Sequence, residues 1–547
     1  MDFDRIKLLA NTLKYLRFKQ VYYRVYYLIR NRFFPKSYEA TLKNNFEPLE
    51  WKNFILHSDS FHGNLEFEFL NLKHRFEADI DWDFSDFGKL WTYNLNYFDF
   101  LNQRRISADG GLGLIRQFIE KKEGLKDALE PYPISLRCIN WVKFLSQNKI
   151  SDHLIDQALY NDYYRLLHNL EYHLLGNHLL ENGFSLFFGA YYFQSDVFYR
   201  KGQEILREQL GEQILKDGAH FELSPMYHQI MLYRLLDCIQ LARFNPWKED
   251  GLHDFLVEKA TCMLSWLNAI TYSNGNIPWV NDSAMGIAPT SRELFDFANQ
   301  LNLSWEYAQL SDSGYRTFKF GHYELFVDVG NIGPDYQPGH AHADTFSFEL
   351  YNNGRPLIVD TGISTYEKNK LRSKERSTES HNTVMVANLD QSQVWGGFRV
   401  ASRAYAAALQ EGDSFVEATH DGYKDFGIWH TRRFEAEEKQ IKISDTLTKG
   451  KADIYTAFLH FDPDVELLEI DANSRDVVLP KHGLYISFEG DVRAINQKTY
   501  EYANGFNLRL EAIKLEIQFF GNLTTCIGFT GLPNNQIDLN EDFISNG

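Results

Sequence analysis

Hydrophobic positions change their period partway along the chain. Up to about residue 310 they recur every three or four residues, as in LIDQALYNDYYRLLHNLEYHLLGNHLLENGFSLFFGAYYF, GEQILKDGAHFELSPMYHQIMLYRLLDCIQLARF and LHDFLVEKATCMLSWLNAITY. That spacing predicts amphipathic helices. The breaks are short and hold Gly or Pro, as in KDGAHFELSP and YSNGNIPW, so antiparallel neighbours are expected. After residue 310, alternation takes over. YELFVDVG, TFSFELY, RPLIVDTG, NTVMVAN, EKQIKISDTL, LYISFEG and KLEIQFFGN read as short strands. Asn353-Gly354 is a hairpin signal, because a type I′ turn needs positive φ at both central positions. Strands at this spacing predict an antiparallel sandwich. The expected class is α+β multidomain: a helical domain over residues 1–310, a β-sandwich over 311–547, and a ligand cleft between them.

Composition narrows the function. The chain has 547 residues, too many for one core. Its net charge of −18 argues against a nucleic-acid partner, and any anionic ligand must be met by locally placed Arg, His and Lys. Cys138, Cys238, Cys262 and Cys526 are far apart and read as buried small hydrophobes. Aromatics reach 15%, enough to fill a core and also line a sugar cleft. No run of apolar residues is long enough to predict a transmembrane segment. Residues 1–34 carry eight Lys/Arg against two Asp. Such a segment either touches a membrane surface or packs on the body with its basic face in water. It has no signal-peptide core, so the literal expectation is cytoplasmic, with a periplasmic or secreted location as the alternative.

Four stretches carry candidate chemistry. In GHAHADTFSFELYNNGRPLIVDTG, residues two apart on a strand share a face, which would align His340, His342, Asp344, Phe346 and Phe348. His342 and Asp360, with His381 of SHNTVMV, supply N and O donors suited to zinc or a similar divalent ion. They also read as scattered polar residues on a sheet, since a simple turn at Asn353-Gly354 would place His342 opposite Thr365 rather than Asp360. In LLGNHLLENG, Asn177 and His178 need partners if buried, or cap a helix after Gly176. In HFELSPMYHQIML, Ser224 fits an N-cap and Pro225 a first turn, which sets Tyr227 and His228 at a helix start. In EPYPISLRCINWVKFL, Arg137 and Asn140 share a helix face, and Arg137 is either an anion clamp or half of an ion pair.

Together with LWTYNLNYFDFL, GISTY and ESHNTV, these stretches resemble the heparinase II/III superfamily of polysaccharide lyases, which includes alginate lyases. The resemblance covers most of the chain. It implies an incomplete (α/α) toroid followed by an antiparallel β-sandwich. It implies that Asn177 neutralises a uronate carboxylate, that Tyr227 is general acid and often base, and that His340 assists at the reacting sugar. His342, Asp360 and His381 would bind a structural metal, zinc by preference, with manganese or calcium as alternatives. Arg137, Asn140, His178, His228 and Trp395 are the expected substrate-binding residues. NIPWVNDSAMG resembles a loop near the cleft but departs enough that no role is assigned to it.

The implied reaction is β-elimination on an acidic, uronate-containing polysaccharide of the heparosan, heparan sulfate, hyaluronan or chondroitin type. Hydrogen-bond donors on the carboxylate stabilise the charge that develops there. A tyrosine of ordinary pKa, about 10, is a poor base at neutral pH, so cationic neighbours such as His340 and His228 are expected to lower it. The alternatives are a lyase for alginate or a capsular exopolysaccharide, a metal-dependent glycan hydrolase, and a non-catalytic glycan-binding protein. An unsaturated uronate chromophore in the products distinguishes elimination from hydrolysis.

Overall fold

The computed structural model describes residues 3–529, apart from 35, 43–45, 453, 467–468 and 472–474. Helices Pro131–Gln147, His153–Leu167, Gly176–Phe193, Asp196–Gln213, Pro225–Phe244 and Leu252–Ile270 follow one another through short connections and form the incomplete toroid. Gly176–Phe193 is apolar all round and buried all round, as a central helix must be. Two helices, Phe3–Leu13 and Phe18–Phe33, precede the toroid. A two-stranded sheet, Glu66–Phe69 with Leu72–Arg75, interrupts the helical half, where the periodicity predicted no strand.

The last helix of this half ends at Gln300 and the first strand of the next begins at Tyr315. Strands Tyr315–Lys319, Tyr323–Asp328, Phe348–Asn352 and Arg355–Ile358 form one antiparallel sheet in that order. Its residues Leu325, Val327, Phe348 and Leu350 share a core with Phe434, Ile441, Leu515 and Ile517 of a ten-stranded sheet, so the two layers pack face to face. The Asn353-Gly354 turn forms as expected: φ is 50° and 70°, and Asn352 pairs with Arg355.

The HAH stretch is not on a strand. Residues 339–347 are a loop that enters the sheet only at Phe348. Side chains and other loops satisfy its backbone. His340 O accepts from Asp282 N–H (3.1 Å), His342 N–H donates to Asn281 Oδ1 (2.9 Å), and Ala341 O accepts from Arg376. Phe346 sits at φ 70°, unusual for a bulky residue, and Arg432 holds its carbonyl at 2.8 Å.

The two longest strands, Leu484–Ala503 and Arg509–Phe529, form a hairpin that reaches back to the helical half. At its tip Asn507 N–H donates to Ser364 O, Asn507 Nδ2 donates to Leu70 O, and Asn71 Nδ2 donates to Phe506 O. Phe506 is buried in the core of the helical half, edge-on to Tyr366.

Candidate active site

Three segments meet where the two halves join. Tyr227 comes from the start of helix Pro225–Phe244, capped by Ser224, whose Oγ accepts the Tyr227 N–H (3.2 Å). The same hydroxyl donates to Asp282 O (2.8 Å), so one serine fixes both the helix start and the 277–286 loop. Asn177 sits in the first turn of Gly176–Phe193. His340 comes from the loop just described. Its ring stacks on Tyr227 with centroids 3.8 Å apart and planes at 28°. Its Nε2 lies 3.2 Å from Asn177 Nδ2 and its Nδ1 lies 2.9 Å from Asp282 Oδ2. The structure thus brings Asn177, Tyr227 and His340 together.

Glu222 sets the orientation of Asn177. Its carboxylate accepts from Asn177 N–H (3.0 Å) and from Asn177 Nδ2 (2.9 Å). The approach is close enough that a Cβ on residue 176, at φ +59°, would sit 2.6 Å from Glu222 Oε1, so the position calls for glycine. Both amide hydrogens of Asn177 are therefore engaged within the protein, one on Glu222 and the longer one on His340.

Asp282 was the main omission of the sequence reading. It is fully buried, faces His340 Nδ1 and His342 Nε2 (2.9 Å each), and is held bidentately by Arg372 at 2.5 and 2.7 Å. Burial opposes its charge, but Arg372 and the two imidazoles hold its carboxyl well below the usual carboxylate range. With Nδ1–H of His340 directed at Asp282, the lone pair of His340 is on Nε2, facing Asn177. The signal was present in the NDS of the unassigned loop, but only its contacts give it meaning.

Tyr227 corrects an expectation. Burial pushes its phenol above its ordinary value, and the hydrogen bond with Tyr366 (Oη–Oη 3.3 Å) offsets this only in part. The nearest charges include Asp282 and Glu222, which raise it further. The Arg372 guanidinium lowers it, but among the described residues no cationic neighbour outweighs burial, and it holds its proton.

Four expected substrate residues are placed elsewhere. Arg137 is fully buried, bonded to Asp162 and to Ala128 O, with Phe118 under its guanidinium; it is a structural cation. Asn140 is buried and donates to Tyr97 O and Asp99. His228 is buried between Met263 O and the N–H of His220. Trp395 directs its indole N–H to Thr12 of the first helix (3.0 Å). Helical and strand periodicity told which way these side chains turn, but not that the facing wall was protein. His178 is different. About a third of its side chain is exposed (30%). Burial pulls its pKa down, but the Glu171 carboxylate, 3.0 Å away, holds it above the ordinary value.

The buried pair His220 and His228 makes an acid-sensitive element. Burial lowers them to about 4 and about 3. The unfolded chain binds more protons than the fold below the ordinary histidine value of about 6.5. Their stability is therefore fully present above that pH and lost as pH falls toward 4, at roughly 2–3 kcal/mol per pH unit for the pair. The unfolding midpoint should drop steeply from pH 6.5 to 4.5; a flat profile there would show that these groups are solvated.

The proposed metal ligands cluster but do not converge. His381 Nδ1 is 2.7 Å from Asp360 Oδ2, and the His342 and His381 rings are 5.2 Å apart. His342 Nδ1, His381 Nε2 and Asp344 Oδ2 are buried without hydrogen-bond partners, which suits a cation's donor set. Yet Asp360 is turned to His381 as a hydrogen-bond acceptor. Among the described residues, no group of three or more His, Cys, Asp or Glu is arranged to hold a metal ion. Below the site, Arg432 donates to Phe346 O and Asn382 O, is paired to Asp445, and so ties the HAH loop to the SHN segment.

Fold and site define a two-domain protein, toroid plus sandwich, with an Asn–His–Tyr cluster at the junction. A family model described as heparinase II/III N-terminus matches residues 133–301, and one described as heparinase II/III-like, C-terminal, matches residues 302–530. The chain belongs to the heparinase II/III family. It is 29% identical over 243 residues to a heparin-sulfate lyase of Pedobacter heparinus, covering 39% of this chain and 36% of that one. It is 25% identical over 286 residues to a heparin-sulfate lyase of Bacteroides stercoris, covering 46% and 42%. The matches thus span less than half the length of these relatives. Among solved structures, heparinase III superposes with a TM-score of 0.63 at 16% identity, covering 84% of this chain and 80% of that one. A mutant heparan sulfate lyase of Pedobacter heparinus superposes with a TM-score of 0.59 at 18% identity, covering 86% and 82%. At such identities the superpositions speak to the fold.

Proposed function

We propose that the protein is a polysaccharide lyase that cleaves a uronate-containing glycosaminoglycan by β-elimination. The observation that carries this reading is the convergence of a protonated Tyr227, an Asn177 amide and the Nε2 lone pair of His340. The family's relatives named heparin-sulfate lyases support it. In the proposed reaction the substrate carboxylate takes the Asn177 amide hydrogen now directed at His340, with His178 as a second hydrogen-bond donor. That exchange frees His340 Nε2 to accept the C5 proton. Tyr227 donates its phenolic proton to the C4 oxygen as the C4–O bond breaks and a C4–C5 double bond forms. The base role assigned to Tyr227 from sequence thus passes to His340. Proton exchange with solvent or between the stacked pair resets both groups.

A divalent cation, zinc by its N and O donors, is part of the proposal as a structural ion on His342, Asp360 and His381; it would stiffen the segment behind His340, and no step uses it. His342→Ala should lower both bound metal, by elemental analysis, and thermal stability. Full metal content in that variant would remove His342 from the ligand set.

The function is tested by incubating the protein with heparosan, heparan sulfate, hyaluronan, chondroitin sulfate and alginate and following ultraviolet absorbance. Absorbance rising on a glycosaminoglycan supports the proposal. A rise on alginate alone moves the substrate class, and new reducing ends without absorbance replace elimination with hydrolysis.

A further inference from the structure

The helix Phe18–Phe33 has two unlike faces. Inward, Gln20 donates to Leu174 O and Tyr336 O, Tyr23 stacks on Tyr172, Tyr27 donates to Leu170 O, and Arg30 reaches His168 O and Asn169. These contacts fix the helix on the body. Outward, at helical spacing, stand Phe18, Val21, Tyr22, Val25, Leu28, Ile29 and Phe33, with exposures from 47% to 83%. Seven large apolar side chains on one open face of a 16-residue helix form a continuous patch, where a soluble surface ordinarily carries polar groups.

The charges around the patch identify what fits it. Arg32 lies within the apolar face and Arg24 at its edge; both are exposed, and among the described residues neither has an ion-pair or hydrogen-bond partner. No acidic residue occurs between Arg5 and Tyr38, in a chain whose net charge is −18. An apolar helix face set among free arginines matches the boundary of an anionic bilayer, where rings and aliphatic chains enter the acyl region and guanidinium groups meet phosphates. A second copy of the chain fits poorly, because a two-fold contact on this face would bring the unpaired arginines of both copies together. No helix among the described residues is long and apolar enough to cross a membrane.

We propose that the outward face of helix Phe18–Phe33 binds the surface of an anionic lipid bilayer, with the helix lying in the interface plane. The acidic remainder of the chain is repelled by such a surface, so charge and apolar face together select one orientation. Because Gln20 is tied to Leu174 and Tyr336, at the backbone leading to Asn177 and His340, attachment sets the candidate cleft close to the membrane. The inference does not depend on the lyase reading.

The test is co-sedimentation of the full chain with vesicles of phosphatidylcholine alone and of phosphatidylcholine with phosphatidylglycerol. Binding is expected to the mixed vesicles, to weaken as salt rises, and to be at least about tenfold weaker on phosphatidylcholine alone. Arg24→Glu/Arg32→Glu should reduce the partition coefficient by more than about tenfold, and Val25→Glu/Ile29→Glu should do the same. All four positions are exposed, so the thermal midpoint should not move. Absence of binding to the mixed vesicles at low salt overturns the proposal, as does equal binding to both. A wild-type dimer in light scattering that Val25→Glu/Ile29→Glu dissociates, without vesicle binding, would assign the face to self-association instead.

Discussion

Replacing Tyr227 by phenylalanine is expected to lower kcat by about 10²–10⁴-fold while leaving KM little changed. The ring that stacks on His340 stays, and only the hydroxyl is lost, together with its 3.3 Å contact to Tyr366. In the proposed reaction, what disappears is the proton delivered to the departing C4 oxygen, a service used only in the transition state. The pH profile should agree. Burial holds Tyr227 above its ordinary value. An acid with a raised pKa stays protonated further into alkali, so no alkaline loss of rate assignable to Tyr227 should appear below about pH 10. Asn177→Ala should also lower kcat, and because both residues serve one transition state the double variant should fall far short of additive. A folded Tyr227→Phe protein with near-normal turnover on its best polymer would leave His340 as sole acid and base.

Asp282→Ala is expected to be the most damaging single change to the fold of the site. It removes the only carboxylate, among the described residues, bonded to the buried Arg372 guanidinium, and the partner of two histidine rings. Leaving a buried charge unpaired costs about 3–5 kcal/mol. Denaturant unfolding measures that loss directly, and a change under about 1 kcal/mol would mean that Arg372 finds other partners. Asp282→Asn keeps the shape and one oxygen acceptor. It should recover part of the stability but less of the turnover, because its amide nitrogen can no longer accept from whichever neighbour it faces. Equal recovery of both would reduce Asp282 to a purely structural role.

What the sequence made legible was local. The Ser224-Pro225 helix start, the Asn353-Gly354 turn, the helical half and the sandwich all follow from short-range chemistry, and the structure forms each of them. The cluster of Asn177, Tyr227 and His340 came from motif resemblance, since residues 163 positions apart give no local sign of contact. The strand expected at His340–His342 failed because alternation says nothing about backbone partners, and here Asn281, Asp282 and Arg376 outcompete a neighbouring strand. Arg137 and His228 were misread for a related reason. A polar residue in an apolar helix can turn to a cleft or to a buried partner, and only the fold supplied Asp162 for one and Met263 O for the other.

The hairpin whose tip carries Phe506 has a consequence for when the site comes into being. Asn177 and Tyr227 belong to helices that can pack soon after they are made, and domains tend to fold in the order of synthesis. Tyr366, however, leans on Phe506 and meets the Tyr227 hydroxyl from there. The support for that contact is translated some 280 residues after Tyr227 itself (506 − 227 = 279). A nascent chain therefore carries Tyr227 long before its surroundings exist. A variant chain with Phe506→Ala loses that support, which should let water reach Tyr227. In such a chain the tyrosine would titrate nearer its ordinary value, measurable by its ultraviolet difference spectrum in alkali, and the timing of competence would rest with this hairpin, made long after the helices that carry Asn177 and Tyr227.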